Sequence, residues 1–190
     1  MKKILLACAF AAFAVGAYAQ GTVNFANGSG SLLLTTNTMT GTGNIAGIGL
    51  YTIGIYAGPL NSPAGSLVLV GATTTNGPVA GRINGNPAGG SFVLPGFASG
   101  AQITFQIRAW QTAFGSTYEA ASAGLRGVST LGTTTPGGGL VAAGGLFGTT
   151  PAINGDVPVL GFALSGVPEP SSIALGLLGL GAVALFRRKK

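Results

Sequence analysis

Turn-forming clusters break the chain repeatedly between Gly58 and Gly96: Gly58-Pro59, Asn61-Ser62-Pro63, Asn76-Gly77-Pro78, Asn84-Gly85-Asn86-Pro87 and Pro95-Gly96. Proline removes a backbone donor and glycine admits positive φ, so a helix of several turns does not fit across them. Short strands do fit. Ile103, Phe105, Ile107 and Ala109 alternate with Gln102, Thr104, Gln106 and Arg108, which is the period of a strand with one apolar and one polar face. Tyr51, Ile53 and Ile55 alternate in the same way, as do Val23 and Phe25. Leu67 to Val70 is a continuous apolar run, expected to be a strand buried on both sides. Ser91 to Leu94 is a further strand. Val157 to Leu164 is another, and Pro158 makes it an edge or late-starting one. Tyr118 to Leu125 reads as a single helical turn or a loop.

This pattern predicts an all-β fold: one β-sandwich-like domain over residues 20–166. Ser129 to Pro151 stands apart. Gly132-Thr133-Thr134-Thr135-Pro136-Gly137-Gly138-Gly139 and Gly144-Gly145 offer little to bury, so a long, flexible Gly/Thr-rich loop is expected there. No internal repeat or second domain is visible.

Charge separates the ends of the chain from its middle. The net charge is +6 and charged residues are only 6% of the sequence, against roughly 25% in an average soluble domain. The cations concentrate at Lys2-Lys3 and at Arg187, Arg188, Lys189 and Lys190. Between residues 20 and 166, Arg82, Arg108 and Arg126 face Glu119 and Asp156, a balance of +1. A nucleic-acid surface needs clustered Lys and Arg, so no nucleic-acid partner is expected.

The ends are addresses. Met1-Lys2-Lys3, the apolar run Ile4 to Val15 and the small-x-small site Ala17-Tyr18-Ala19 form a secretory signal peptide over residues 1–19, with the mature chain beginning at Gln20. An uncleaved anchor is the alternative. The single cysteine, Cys8, lies too early in the apolar run for a lipoprotein box.

Residues 167–190 have three parts: the motif 167–172 around Pro168-Glu169-Pro170, an apolar transmembrane helix over 171–186, and the basic end 187–190. As a helix rising about 1.5 Å per residue, Ser171 to Phe186 reaches roughly 24 Å, short against a hydrocarbon core of about 30 Å. Arg187 and Arg188 can snorkel to absorb the difference. A buried core helix is the competing reading, disfavoured by the stop-transfer cluster that follows. Cations remain on the cytoplasmic side, which leaves residues 20–166 outside.

Pro168-Glu169-Pro170, serine, a short glycine-containing apolar helix and a basic cluster together resemble the PEP-CTERM sorting signal of Gram-negative bacteria. The resemblance covers Val167 to Lys190. It implies recognition by an exosortase, a membrane-embedded transpeptidase-like enzyme. It also implies transient anchoring in the inner membrane, removal of the tail near the motif, and delivery to the cell surface or a biofilm matrix beside exopolysaccharide. Pro168, Glu169 and Pro170 are then recognition residues of a substrate. From about Leu50 to Ala121 the chain also resembles small exported proteins with the same tail.

Catalytic groups are scarce. The chain has no histidine, and residues 20–166 carry two carboxylates, Glu119 and Asp156. These would have to converge to act as a glycosidase-like pair. The competing reading pairs Glu119 with Arg126 at the surface and places Asp156 in a turn. No cofactor, metal or enzymatic activity is expected. Gly41-Thr42-Gly43 lacks the lysine of a phosphate loop and reads as a turn. Asn27-Gly28-Ser29 is a chance sequon. Trp110 is in phase with Gln106 and Arg108, and with Tyr118 forms a candidate sugar-stacking surface. The alternative places Trp110 in the core. The expected function is a structural or adhesive surface protein, the alternative a carbohydrate-binding module.

Overall fold

The computed structural model describes residues 20–37, 41–85, 91–149 and 155–166. The expected signal peptide, with Ala17 and Ala19, lies outside them. So does the tail, with Pro168, Glu169, Pro170, Arg187, Arg188, Lys189 and Lys190. The strands are β1 (Gly21–Asn24), β2 (Leu34–Asn37), β3 (Gly41–Asn44), β4 (Tyr51–Pro59), β5 (Val68–Thr75), β6 (Phe92–Leu94), β7 (Ile103–Gln111), β8 (Leu125–Val128), β9 (Gly132–Thr134), β10 (Gly144–Gly145) and β11 (Ala163–Gly166). Three single 3₁₀ turns are the described helical elements. The fold is all-β. Among the described residues no helix is long and apolar enough to cross a membrane.

The larger sheet runs β3-β2-β11-β8-β7-β4-β5, with β9 also paired to β7, and the smaller runs β10-β1-β6. The two sheets share one core. Val23, Phe92 and Leu94 of the smaller sheet pack with Ile53, Ile55, Phe105 and Ile107 of the larger. Phe25 closes this core, edge-on to Phe92 at 5.0 Å and stacked on Phe147 at 6.2 Å.

β7 is the centre of the larger sheet. It pairs along its whole length with β4, Tyr51 opposite Gln111 and Pro59 opposite Ile103. Its other edge is divided between β8 and β9. Ser129 lies between those two strands, and its Oγ accepts from the Ile107 backbone N at 2.9 Å. The alternation of β7 therefore places Ile103, Phe105 and Ile107 in the shared core. The polar face is covered as well: Thr104 and Gln106 are buried. Thr104 Oγ1 accepts from Asn61 N at 2.8 Å, and Gln106 Nε2 donates to Ser129 O at 3.0 Å. These two buried polar side chains are tolerated because each is paired.

Several expectations change. Leu67 to Val70 is not buried throughout: β5 is an edge strand, Leu67 and Val70 are buried in different clusters, and Val68 between them is 61% exposed. A bulge bends it, three residues of β5 facing Gly54 alone. Gly71 sits in that bulge at φ 69°, where a Cβ would lie 2.7 Å from Val93 O. Gly41-Thr42-Gly43 belongs to strand β3. The Val157–Leu164 segment does start late, as β11, but it lies inside the sheet between parallel β2 and antiparallel β8.

The Gly/Thr-rich segment is the largest correction. Much of it is ordered structure that bridges the two sheets. β9 pairs with β7, β10 pairs in parallel with β1, and Gly137 bridges Thr22 between them. Thr134, Thr135 and Leu146 are buried. Small residues serve here because the backbones approach closely. A Cβ on Gly137 would overlap the backbone of Ala143.

Candidate functional site

Two regions hold the residues singled out from sequence. The first lies on the outer face of β4 and β7. The chain leaves β7 at Gln111, makes a 3₁₀ turn over Thr112–Phe114 and folds back across that face before entering β8. Tyr56, Leu67, Trp110 and Ala121 form a second, smaller core beneath it, with half-buried Tyr118 against them.

Trp110 is fully buried. Its Nε1 donates to Gly115 O at 3.0 Å, and its ring meets Tyr118 edge-on at 6.5 Å. It therefore presents no face to a ligand, and the sugar-stacking role is withdrawn for Trp110. The polar phase of β7 placed it outward, and the returning loop covers it.

Tyr118 stays half-buried beside two guanidinium groups, Arg126 at 5.1 Å and Arg108 at 5.5 Å from its ring centre. Arg108 lies closer still to Tyr56, 4.0 Å from its centre. Its three nitrogens are all engaged. Nε donates to Gln106 Oε1 at 3.1 Å, Nη1 to Glu119 Oε1 at 2.9 Å and Nη2 to Ala64 O at 2.9 Å. Glu119 thus pairs with Arg108, not with Arg126. Arg126 Nη1 instead donates to Tyr118 O at 3.4 Å.

The Tyr56 hydroxyl donates to the other Glu119 oxygen at 3.2 Å. Burial, reinforced by the Glu119 charge and this hydrogen bond, pushes the Tyr56 phenol up to about 12, against an opposing pull from Arg108. At neutral pH it is a hydrogen-bond donor to Glu119.

The second region surrounds Asp156, which is 1% exposed. Its carboxylate accepts from Thr135 N at 2.9 Å, Thr135 Oγ1 at 2.8 Å and Gln102 Nε2 at 3.1 Å. Asp156 pins the Gly/Thr-rich segment to the start of β7. The turn signal Asn154-Gly155 gave no sign of this burial. No local cue could have revealed that Thr135 and Gln102 converge on it from elsewhere in the chain. Glu119 is held by Arg108 and Tyr56, and Asp156 by Thr135 and Gln102, with Arg108 and Gln102 six positions apart along the β7 segment, so the two carboxylates are anchored at different places on it.

Asn27, the sequon asparagine, is also buried. It donates to Ser31 O and Gly81 O and accepts from Ile83 N. Its side chain is committed to the fold. Two cavities, of about 420 and 370 Å³, one about Arg82 and one about Thr104, have no aromatic side chain among their lining residues. Among the described residues no group of three His, Cys, Asp or Glu could hold a metal ion.

The tail departs from a fixed point. β11 ends at Gly166, opposite Leu125, with Ser165 opposite Arg126. Comparison with family models matches residues 166–190 to the PEP-CTERM protein-sorting motif. No curated protein matches the chain. No solved structure matches it either.

Proposed function

We propose, from the premise that this is a PEP-CTERM domain-containing protein, that it is a non-catalytic surface or matrix protein of a Gram-negative bacterium with a structural or adhesive role beside exopolysaccharide. The premise itself makes the chain an exported substrate of an exosortase, held transiently at the membrane before display. The further reading is that the signal peptide is removed before Gln20, the apolar run 171–186 spans the inner membrane, and a β-sandwich-like domain is then released or displayed.

The observation that carries this reading is the position of the motif. It begins where β11 ends, so all the strands precede the motif, as suits a folded domain carried as cargo ahead of a sorting tail. The non-catalytic reading is supported by the two carboxylates. Glu119 is tied to Arg108 and Tyr56, and Asp156 to Thr135 and Gln102. The carbohydrate-binding alternative loses Trp110 and rests on Tyr118.

Mass spectrometry of the protein from a host with its exosortase tests the sorting reading. The expected termini are Gln20 and a residue close to Pro170. A displayed form still ending at Lys190 would overturn it. Co-sedimentation of the displayed protein with the host's exopolysaccharide tests the matrix role. Absence of co-sedimentation, together with absence of self-association, would overturn that role.

A further inference from the structure

We propose that the end of the larger sheet from which the tail departs is a lipid-contact face, with Ile48, Leu50 and Phe114 touching the membrane while the tail is anchored. The inference rests on the anchoring reading above.

Topology places these residues together. β11 runs parallel to β7, since both are antiparallel to β8. Gly166 therefore lies at the same end of the sheet as Gln111 and, by register, Tyr51. Leu50 and Ile48 immediately precede Tyr51, and Phe114 follows Gln111. Backbone hydrogen bonds join the two loops: Thr112 N donates to Leu50 O at 2.9 Å, and Thr112 Oγ1 to Gly49 O at 3.3 Å. The Phe114 ring rests on Gly124, where a Cβ would be 2.7 Å from it. Gly124 is followed by Leu125, the partner of Gly166. The phenyl ring thus stands beside the tail's exit.

These side chains are large, apolar and outward: Ile48 is 69% exposed, Leu50 55% and Phe114 46%. Interfacial binding scales with buried apolar area and with attraction to anionic lipid. Arg126, opposite Ser165, supplies a cation at the exit. The carboxylates do not oppose it, because Glu119 is paired with Arg108 and Asp156 is buried.

The tether commits the face to a membrane. From Gly166 to Ser171 the chain extends at most about 18 Å. β7 runs about 27 Å from this end of the sheet to the other. Val68 faces Ala57, which faces Phe105, six residues or about 20 Å from that end, and Leu140 lies in the Gly138–Val141 turn that bonds Ser99, ahead of Ile103; both are exposed apolar residues beyond the tether's reach.

The test uses the mature chain from Gln20 to Lys190, which contains no native cysteine, with a nitroxide on Ile48→Cys, Phe114→Cys, Val68→Cys or Leu140→Cys. Each is reconstituted in vesicles of phosphatidylethanolamine and phosphatidylglycerol. Collision with oxygen relative to a water-soluble nickel chelate is expected to be several-fold higher at positions 48 and 114 than at 68 and 140. Equal ratios at all four positions in protein that floats with the vesicles would overturn this inference and leave the anchoring reading standing. A difference that appears only when exosortase is co-reconstituted would also overturn it and assign the face to the enzyme. Protein that fails to float would overturn the anchoring reading and this inference with it.

Discussion

The guanidinium carbon of Arg108 lies 4.0 Å from the centre of the Tyr56 ring, and both residues converge on the carboxylate of Glu119. This arrangement couples a cation, a phenol and an anion on the outer face of the sheet, and it has a signature in alkali. Unfolded tyrosine ionises near pH 10, whereas folded Tyr56 does so at about 12. Between these values the unfolded state has lost a proton that the native state keeps, so stability falls as pH rises. Denaturant titrations from pH 9 to 12 should show this fall, and Tyr56→Phe should remove its share of it. An unchanged slope in the variant would contradict the assignment.

Arg108→Lys separates the two candidate partners of Glu119. Lysine keeps the charge and loses the fork that reaches Gln106, Glu119 and Ala64 together. A loss of about 1–3 kcal/mol is expected by chemical denaturation. Arg126→Lys, which disturbs one long contact to Tyr118 O, should cost about 1 kcal/mol or less.

Trp110 is the only tryptophan in the chain. Its emission should be blue-shifted and resist acrylamide quenching until the protein unfolds. Trp110→Ala should cost about 3–5 kcal/mol through the cavity it leaves. Free quenching in the native protein would show an exposed ring and restore it as a ligand contact.

Asp156→Asn replaces an acceptor with an amide in a site that offers three donors. Thermal unfolding should shift down, by the equivalent of about 1–3 kcal/mol. The amides of the Gly/Thr-rich segment should exchange faster, since Thr135 is one of its anchors.

Thr134→Val should have the opposite sign. Among the described residues Thr134 Oγ1 is buried without a hydrogen-bond partner. Removing the hydroxyl at nearly constant volume should raise stability by about 1 kcal/mol, seen as a higher melting temperature.

Sequence by itself determined the all-β class, the positions of β1, β4, β6 and β7, and the sorting motif at the C-terminal end. Period-two alternation, turn residues and a sorting motif are local properties, legible without a fold. Tertiary structure decided the rest. The Ser129–Pro151 segment looked like a loop because glycine and threonine show no hydrophobic period. It supplies strands because small residues allow backbones to meet. Trp110 is core because the loop after β7 folds back over it, and Asp156 is buried because Gln102 and Thr135 reach it from elsewhere in the chain. Arg108 holds Glu119, not Arg126, because the loop after β7 folds across the sheet. Alternation tells a strand that it has two faces; only the long-range path of the chain decides which of them meets water.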